Sequence, residues 1–182
     1  MYFRSMAYKK LKYWFDHDLA LQLAQKIRHA APEFDGATFA AAIAGKIDPL
    51  ELKDRVEVFA GALYHGFNGN YPEGLEVLLQ ILGPENPKET GMFTEFYWLM
   101  PIAKYTEKYG LDDFAASMRA IEAIPRRNTG EYAIRPFLLH HPERTMAQVL
   151  QWSTDASFHV RRLACEGLRP RLPWAKKLDM FS

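Results

Sequence analysis

The sequence predicts an all-α protein, an α-solenoid of antiparallel helix pairs, and three observations support that fold class. Apolar residues recur four apart near the start of the chain, at Leu11, Phe15, Leu19, Leu23 and Ile27, which places them on one stripe of a helix. Turn-forming residues then follow at the spacing of helical hairpins, and patterns typical of strands are missing. Short helices of this kind stack so that each pair buries its apolar face on the next.

The N-terminal half, residues 1–83, contains four predicted helical regions. The first begins near Leu11 and has a predicted break at residues 16–18. The second, "ATFAAAIAG", is short and stops at its glycine, and the third stops at the turn-forming "NGN". The fourth, "YPEGLEVLLQILG", carries Pro72 in its first turn, where the missing N–H costs nothing, and it stops at Gly83.

A predicted linker, "PENPKETG" at residues 84–91, precedes the second half of the single domain, residues 92–182. The helix predicted in "FTEFYWLMPIAKYTEKYG" is expected to be disturbed by Pro101. The next, in "LDDFAASMRAIEAIPRR", has Asp112 or Asp113 near its start. Three short helices are then predicted in "GEYAIRPFLLHHP", "ERTMAQVLQWS" and "ASFHVRRLACEG".

The last of these helices carries a repeat signature. In "STDASFHVRRLACEGL" an aspartate lies in the turn and Arg161 and Arg162 face outward. The residues expected to face inward are Val160, Leu163, Ala164 and Leu168. This pattern is similar to the HEAT-type helical repeat. The predicted solenoid is therefore one of HEAT-like helical repeats.

Composition limits the class of protein further. The 182 residues are 48% hydrophobic, enough for one domain with a sizeable core. The single cysteine, Cys165, excludes an internal disulfide framework, and its place beside Ala164 on the apolar side of its helix predicts a packed thiol. The opening carries charges before any apolar run of signal-peptide length, and no run approaches the roughly 18 apolar residues of a membrane span. These features predict a soluble, cytoplasmic protein.

The net charge of +1 hides a polarised distribution. Residues 1–125 hold 13 Lys and Arg against 17 Asp and Glu, whereas residues 126–182 hold 10 against 5. A basic terminal third with interleaved aromatic residues suits a surface that faces a polyanion, because Lys and Arg supply phosphate contacts. A solvated basic face is an equally good interpretation of charge alone.

Other clusters have ordinary structural interpretations. His140 and His141 are adjacent, so on a helix they point about 100° apart, and no Cys or carboxylate lies at ligand spacing. The acidic cluster at residues 16–18 is typical of a helix start or a wet surface. Because a glycine-rich phosphate loop and a nucleophile elbow are also missing, the sequence predicts no metal site and no cofactor.

Two carboxylates lie among cations. Glu131 is predicted to open its helix, with Arg135 four residues later on the same face, which is a common surface pair worth about 0.3 kcal/mol. Glu166 is predicted to end its helix between arginines, where a carboxylate opposes the helix dipole and needs cations as compensation. Residue chemistry leaves both a functional and a structural role open for these carboxylates.

Residues 129–178 resemble the AlkC-type DNA alkylation repair proteins, the DNA glycosylase branch of the HEAT-like AlkC/AlkD superfamily. The resemblance is carried by four motifs in order: Glu-aromatic-Ala-Ile-Arg-Pro-Phe, Pro-Glu-Arg-Thr, Asp-x-Ser-x-His-Val-Arg-Arg-Leu and Glu-Gly-x-Arg-Pro-Arg-Leu-Pro-Trp. A weaker similarity extends upstream through "GLDDFAASMRAI" and "ELKDRVEVFAGALY" to "LKYWFDHDLALQLAQKI", and so involves nearly the whole chain.

The resemblance implies hydrolysis of the N-glycosidic bond of cationic alkylated bases, such as 3-methyladenine, in double-stranded DNA. Such a base already carries positive charge, so the enzyme mainly has to stabilise an oxocarbenium-like sugar and position a water, tasks that suit carboxylates. Carried over by motif, Glu131 and Glu166 fall on carboxylates of the family's active-site cleft and are expected to face the sugar as the catalytic residues. Trp174 falls on the aromatic that follows the Arg-Pro-Arg-Leu-Pro motif.

The segment after Glu166 is expected to face DNA. Pro170 and Pro173 end the helix and fix an extended segment, which presents arginines to phosphates and delivers Trp174 to the deoxyribose. The predicted DNA-binding residues are Trp174, Arg135, Arg161, Arg162, Arg169, Arg171 and Lys176. The alternative is a connector between repeats, with Trp174 in the core.

The resemblance also implies further helices beyond the tryptophan, which bring an aspartate that acts on the attacking water. The 182 residues end at "AKKLDMFS" without it, so an exposed apolar patch and self-association are expected at this end.

Two functions stay open: a DNA glycosylase, and a non-catalytic HEAT-like module that binds DNA or a protein partner. A protein-only scaffold would spread its arginines around the array or pair them with carboxylates.

Overall fold

The computed structural model describes residues 9–88, 90, 91, 93–173, 175 and 177–179, and every regular element in them is helical. The α-helices are α1 (His17–Ala30), α2 (Gly36–Ile43), α3 (Leu52–Gly66), α4 (Tyr71–Gln80), α5 (Met100–Tyr109), α6 (Phe114–Ala123), α7 (Arg135–His140), α8 (Pro142–Trp152) and α9 (Phe158–Glu166). Short 3-10 segments occupy Leu11–Trp14, Tyr97–Leu99 and Glu131–Ile134. The all-α prediction is confirmed. None of the helices in the described part is long and apolar enough to cross a bilayer.

Side-chain caps explain where several helices begin. The predicted break at residues 16–18 is confirmed: the Asp16 carboxylate accepts a hydrogen bond from the Leu19 N–H at 3.1 Å and starts α1. Asp35, Asn70 and Asp113 cap α2, α4 and α6 in the same way, and α4 has its proline in the first turn as predicted.

The expected disturbance at Pro101 is wrong. The chain runs as a 3-10 segment through Leu99, and α5 begins only at Met100. Pro101 therefore lies in the first turn of a new helix, where its missing N–H removes no helical hydrogen bond.

The helices before and after the 84–91 segment share one core. Helix α3 packs on α5, and α4 packs on α6. The buried Tyr105 hydroxyl donates to the Tyr71 carbonyl at 3.1 Å. The contact is close because residue 74 is glycine: a Cβ there would lie 2.4 Å from the Tyr105 hydroxyl oxygen. This packing holds the N-terminal helices against the part of the chain that carries the candidate site.

The segment predicted as a linker is tied to the C-terminal helices. Asn86 is buried, and its N–H donates to the Arg126 carbonyl at 2.9 Å. Its own carbonyl oxygen lies 2.9 Å from Nε2 of the buried His159 in α9. Arg126 also pairs with Glu85, and with Asp155 just before α9. These contacts fix the start of α9 relative to α6.

Helix α9 packs on α8 and turns Val160, Leu163 and Ala164 into the core, as its repeat signature predicts. The expectation of a packed thiol at Cys165 is wrong, because that side chain is exposed. Successive residues of a helix are rotated by about 100°, which carries Cys165 away from the face that buries Ala164.

Candidate functional site

The candidate site lies where the C-terminal end of α9 meets the 3-10 segment Glu131–Ile134. Arg162 and Glu166 are four residues apart in α9 and therefore lie on one face of that helix. Glu131, the first residue of the 3-10 segment, pairs with Arg162. The carboxylate of Glu131 thus pairs with an arginine that shares a helix face with Glu166. We call Glu131, Arg162 and Glu166 the junction cluster.

The Glu131 carboxylate is enclosed and fully hydrogen-bonded. Its side chain is only 3% exposed. Oε2 accepts from the Thr129 hydroxyl and, at 3.0 Å, from the Gly130 N–H, while Oε1 accepts from Nε of Arg162 at 3.1 Å and from its Nη2. Charge-assisted bonds of this type hold a buried carboxylate in one orientation.

Glu166 is the accessible carboxylate of the junction cluster. It is the last residue of α9, as the sequence predicts, and its side chain is 36% exposed. Arg169 Nη1 lies 3.9 Å from its Oε1. Arg162, one turn before Glu166, and Arg169, three residues after it, offset the unfavourable interaction between a carboxylate and the C-terminal end of the helix dipole.

The close approach of α9 to the 3-10 segment depends on Gly167. A Cβ at this position would lie 2.9 Å from Cγ2 of the fully buried Ile134, and 3.6 Å from the Glu131 carbonyl oxygen. Residue 167 has a φ of −59°, so the requirement for glycine here is one of space and not of backbone conformation. The missing side chain lets the end of α9 reach the segment that carries Glu131.

Replacing Gly167 by Ala is expected to lower the free energy of unfolding by about 1–3 kcal/mol, because the added methyl group overlaps a packed side chain. Gly61→Ala is the matched control: its Cβ meets only the Tyr109 hydroxyl, at 3.8 Å, within helix α3. That change is expected to be neutral or stabilising by up to about 1 kcal/mol. Urea unfolding of both variants checks the difference, and an unperturbed Gly167→Ala protein would refute the close packing.

Arg135, predicted at the DNA surface, lies inside the protein. The residue is 3% exposed. Its Nη1 donates to the Arg169 carbonyl at 2.8 Å and the Gly167 carbonyl at 3.4 Å, and its Nη2 donates to the Pro170 carbonyl at 3.1 Å. Burial lowers the pKa of the Arg135 guanidinium from its ordinary value. The partner that the structure gives to Glu131 is Arg162 and not the predicted Arg135.

The 3-10 geometry explains that difference. The pairing of residues four apart holds for an α-helix, whereas a 3-10 segment has about 3.0 residues per turn. Residues four apart across it are therefore separated by about one and a third turns and point in different directions. Glu131 then faces α9, while Arg135, at the start of α7, reaches the chain that follows α9.

The remaining predicted DNA-binding residues are placed differently. Arg161 is exposed, and its Nη1 donates to the backbone carbonyls of Asp155 and Ala156 at 2.7 and 2.9 Å. Arg169 and Arg171 are exposed just beyond α9. Trp174 and Lys176 lie outside the described residues. The exposed cations at this end of the array thus come from α9 and the segment after it.

Part of the basic excess of the last third serves internal contacts. Arg126 pairs with three carboxylates, those of Glu85, Glu122 and Asp155. Arg127 donates to the carbonyls of Gly83 and Ala123 at 2.8 and 2.7 Å. Burial of Arg127 lowers the pKa of its guanidinium. Counting charges therefore overestimates the number of cations that residues 126–182 can present to a polyanion.

Sequence reasoning missed the turn that precedes Glu131. Asn128 is fully buried, and its Oδ1 accepts from the Thr129 N–H at 2.8 Å, while the Thr129 hydroxyl donates to Glu131. The letters "NTGE" carried a usable signal, because Asn and Thr commonly bond nearby backbone in turns. In the described residues no group of three or more His, Cys, Asp or Glu side chains is arranged to hold a metal ion.

Comparison with known proteins connects this arrangement to a family. No protein-family model matches the chain. The uncharacterized protein YhaZ of Bacillus subtilis is 36% identical over 169 residues, which are 92% of this chain and 45% of YhaZ. The Pseudomonas fluorescens alkylpurine DNA glycosylase AlkC, solved bound to DNA containing an abasic site analog, is similar with a TM-score of 0.81 and 31% identity.

That structural match covers 93% of this chain and 45% of the AlkC chain. The chain therefore spans about half the length of the relatives it matches. Both similarities run through nearly all of the 182 residues, and the helical array described above is the fold shared with AlkC. The chain belongs to the AlkC-type family of HEAT-like helical-repeat proteins.

Proposed function

We propose that the chain acts in DNA alkylation repair as a DNA glycosylase that hydrolyses the N-glycosidic bond of cationic alkylated bases such as 3-methyladenine. The observation that carries the proposal is the similarity, over 93% of the chain, to an alkylpurine DNA glycosylase in its DNA-bound form. The junction cluster supports it, since Glu131 pairs with Arg162 on the helix face that also carries Glu166, and the resemblance implies that both carboxylates belong to the active-site cleft.

The chemistry needs little acid catalysis. As the N-glycosidic bond breaks, its electron pair leaves with the cationic base, which becomes neutral, and C1′ of the deoxyribose becomes an oxocarbenium ion. Water then adds to C1′ and loses a proton. A carboxylate beside C1′ stabilises the cationic sugar electrostatically, and a carboxylate near the water accepts the proton.

The accessible Glu166 is assigned to the sugar, because its carboxylate is part exposed at the end of α9. Glu131 is assigned a supporting role in the same cleft: it holds Arg162 and reaches the sugar only where that pair opens. The resemblance implies that an aspartate in helices beyond Trp174 acts on the water; where that group is missing, the proton lost by the water passes to solvent.

DNA is proposed to bind along the exposed cations at this end of the array. Arg161, Arg169 and Arg171 would contact phosphates, with Lys176 continuing the row and Trp174 packing beside the deoxyribose. Phosphate contacts carry no sequence information, which suits an enzyme that must find lesions in any sequence.

The alternative is a non-catalytic module that binds DNA or a protein. One observation favours it: both oxygens of Glu131 already have hydrogen-bond partners. Incubating the protein with methylated duplex DNA and identifying the released bases by chromatography separates the two functions. A glycosylase releases 3-methyladenine, whereas a binding module retains duplex DNA without releasing any base.

Arg171→Ala is expected to weaken duplex binding uniformly across sequences and to reduce the slope of log K against log salt by about 0.9, the value for one lost phosphate contact. Arg119→Ala is the control, because it removes the same charge from an exposed arginine of α6, where the side chain pairs with Glu76. Fluorescence anisotropy over a salt series measures both slopes. Equal slopes for the two variants would remove Arg171 from the interface.

A further inference from the structure

Arg135 links the start of α7 to the segment that follows the candidate site. Its guanidinium donates to three backbone carbonyls of the segment after α9. These carbonyls belong to Gly167, Arg169 and Pro170, which are 32 to 35 residues away in sequence. One side chain thus spans the whole turn between the junction cluster and Arg171.

The backbone carbonyls of Gly167, Arg169 and Pro170 need hydrogen-bond donors. The last carbonyls of a helix have no partner within the helix, and those of the residues just beyond it must also be satisfied when they are buried. A guanidinium supplies several N–H groups in a rigid plane, and its charge also suits the negative end of the helix dipole. The Pro170 carbonyl accepts a second hydrogen bond, from the Leu178 N–H at 3.0 Å.

The prolines of this segment increase its dependence on hydrogen-bond donors from other elements. Pro170 and Pro173 lack N–H groups, so the segment cannot hold itself in place by continuing a helical ladder. Its orientation then depends on contacts from other elements. Arg135 supplies three such contacts, and Arg169 and Arg171 project from the backbone that it holds.

We propose that Arg135 is a positioning residue, which fixes residues 167–171 so that Arg169 and Arg171 meet DNA phosphates in one orientation beside Glu166. The part of this assignment that concerns DNA rests on the proposed function. The part that concerns the position of residues 167–171 is a statement about the protein alone. Arg135 itself touches neither DNA nor the sugar, because its guanidinium is buried under the segment that it holds.

The chain contains a matched control for the test. Arg55, in α3, is also 3% exposed and also donates to three backbone carbonyls: Leu50 at 2.9 Å, Phe15 at 3.0 Å and Asp48 at 3.0 Å. Replacing either arginine by Met removes a buried cation and three hydrogen bonds to backbone carbonyls, so both variants lose stability. Only Arg135→Met is expected to affect the segment after α9.

Hydrogen exchange of the native protein tests whether Arg135 fixes residues 167–171. Arg135→Met is expected to speed exchange of amides in residues 167–173 by at least about tenfold relative to the rest of α9, and Arg55→Met to leave that ratio unchanged. Arg135→Lys keeps the charge and some of the hydrogen bonds, so it is expected to fold and to show a smaller effect. An unchanged ratio in both Arg135 variants would overturn the proposal.

The affinity for duplex DNA and the rate of base release test whether this positioning matters for function. Arg135→Met is expected to weaken binding by about tenfold and to lower the rate of base release by at least as much, with Arg135→Lys restoring part of both and Arg55→Met changing neither. If the unmodified protein binds DNA but releases no base, the proposed glycosylase function fails while exchange and affinity still decide the role of Arg135. Affinity unchanged in Arg135→Met, with the segment loosened, would overturn the positioning of Arg169 and Arg171.

Discussion

Replacing Arg162 by Met is expected to lower the free energy of unfolding by about 3 kcal/mol, the lower end of the range for breaking a buried ion pair. The Glu131 side chain is 3% exposed and that of Arg162 is 34% exposed, so the loss strands a carboxylate that water cannot reach well. The Thr129 hydroxyl and the Gly130 N–H would still donate to Oε2 of Glu131. Chemical unfolding monitored by circular dichroism measures the loss.

A double-mutant cycle with Glu131→Gln separates the pair from its surroundings. Because the two side chains are in direct contact, the coupling free energy is expected to exceed about 1 kcal/mol. Lys108→Met is the control, since Lys108 pairs with Glu57 on the surface, where the side chains are 41% and 49% exposed and such pairs contribute about 0–1 kcal/mol. If Arg162→Met lowered the free energy of unfolding no more than Lys108→Met does, the enclosed pair would contribute little to stability.

Glu166→Gln is expected to slow base release by roughly 100-fold or more, the usual cost of removing one group that stabilises transition-state charge. The amide has nearly the same shape as the carboxylate, so the duplex affinity and the fold are expected to change little. Single-turnover rates of base release, measured with the protein in excess over methylated duplex, report the chemical step separately from binding.

The control for this change is Glu143→Gln, because Glu143 is an exposed glutamate in the first turn of α8, outside the junction cluster. It removes the same charge and is expected to leave the rate unchanged. If Glu166→Gln instead weakened binding and left the single-turnover rate intact, Glu166 would be a binding residue, and its assignment to the sugar would be wrong.

Much of the fold was predictable from local sequence. Apolar spacing located the helices, and short polar residues such as Asp16 and Asp113 located their starts, because both signals act within one or two turns of chain. Pro101 was misjudged because the same residue breaks a helix interior and favours a first turn. Whether a helix has already begun cannot be read from the proline alone.

The candidate site was predictable only in its residues and not in its contacts. Glu131 and Glu166 were recognised by motif, but the link between Glu131 and Arg162 spans 31 residues and depends on the approach of the end of α9 to the 3-10 segment. Arg135 was expected outside because helical spacing was applied across a 3-10 segment. Charge counts likewise do not reveal which arginines bond the backbone.

The most direct test of the proposed hydrolysis is the product balance when the unmodified 182-residue protein acts on methylated duplex DNA. A glycosylase that uses the junction cluster is expected to release free 3-methyladenine and to leave an equal amount of abasic sites, with both products suppressed together in Glu166→Gln. Binding of the duplex without either product would contradict the proposal and identify the chain as a binding module. Equal yields from the unmodified protein and Glu166→Gln would place the chemistry elsewhere.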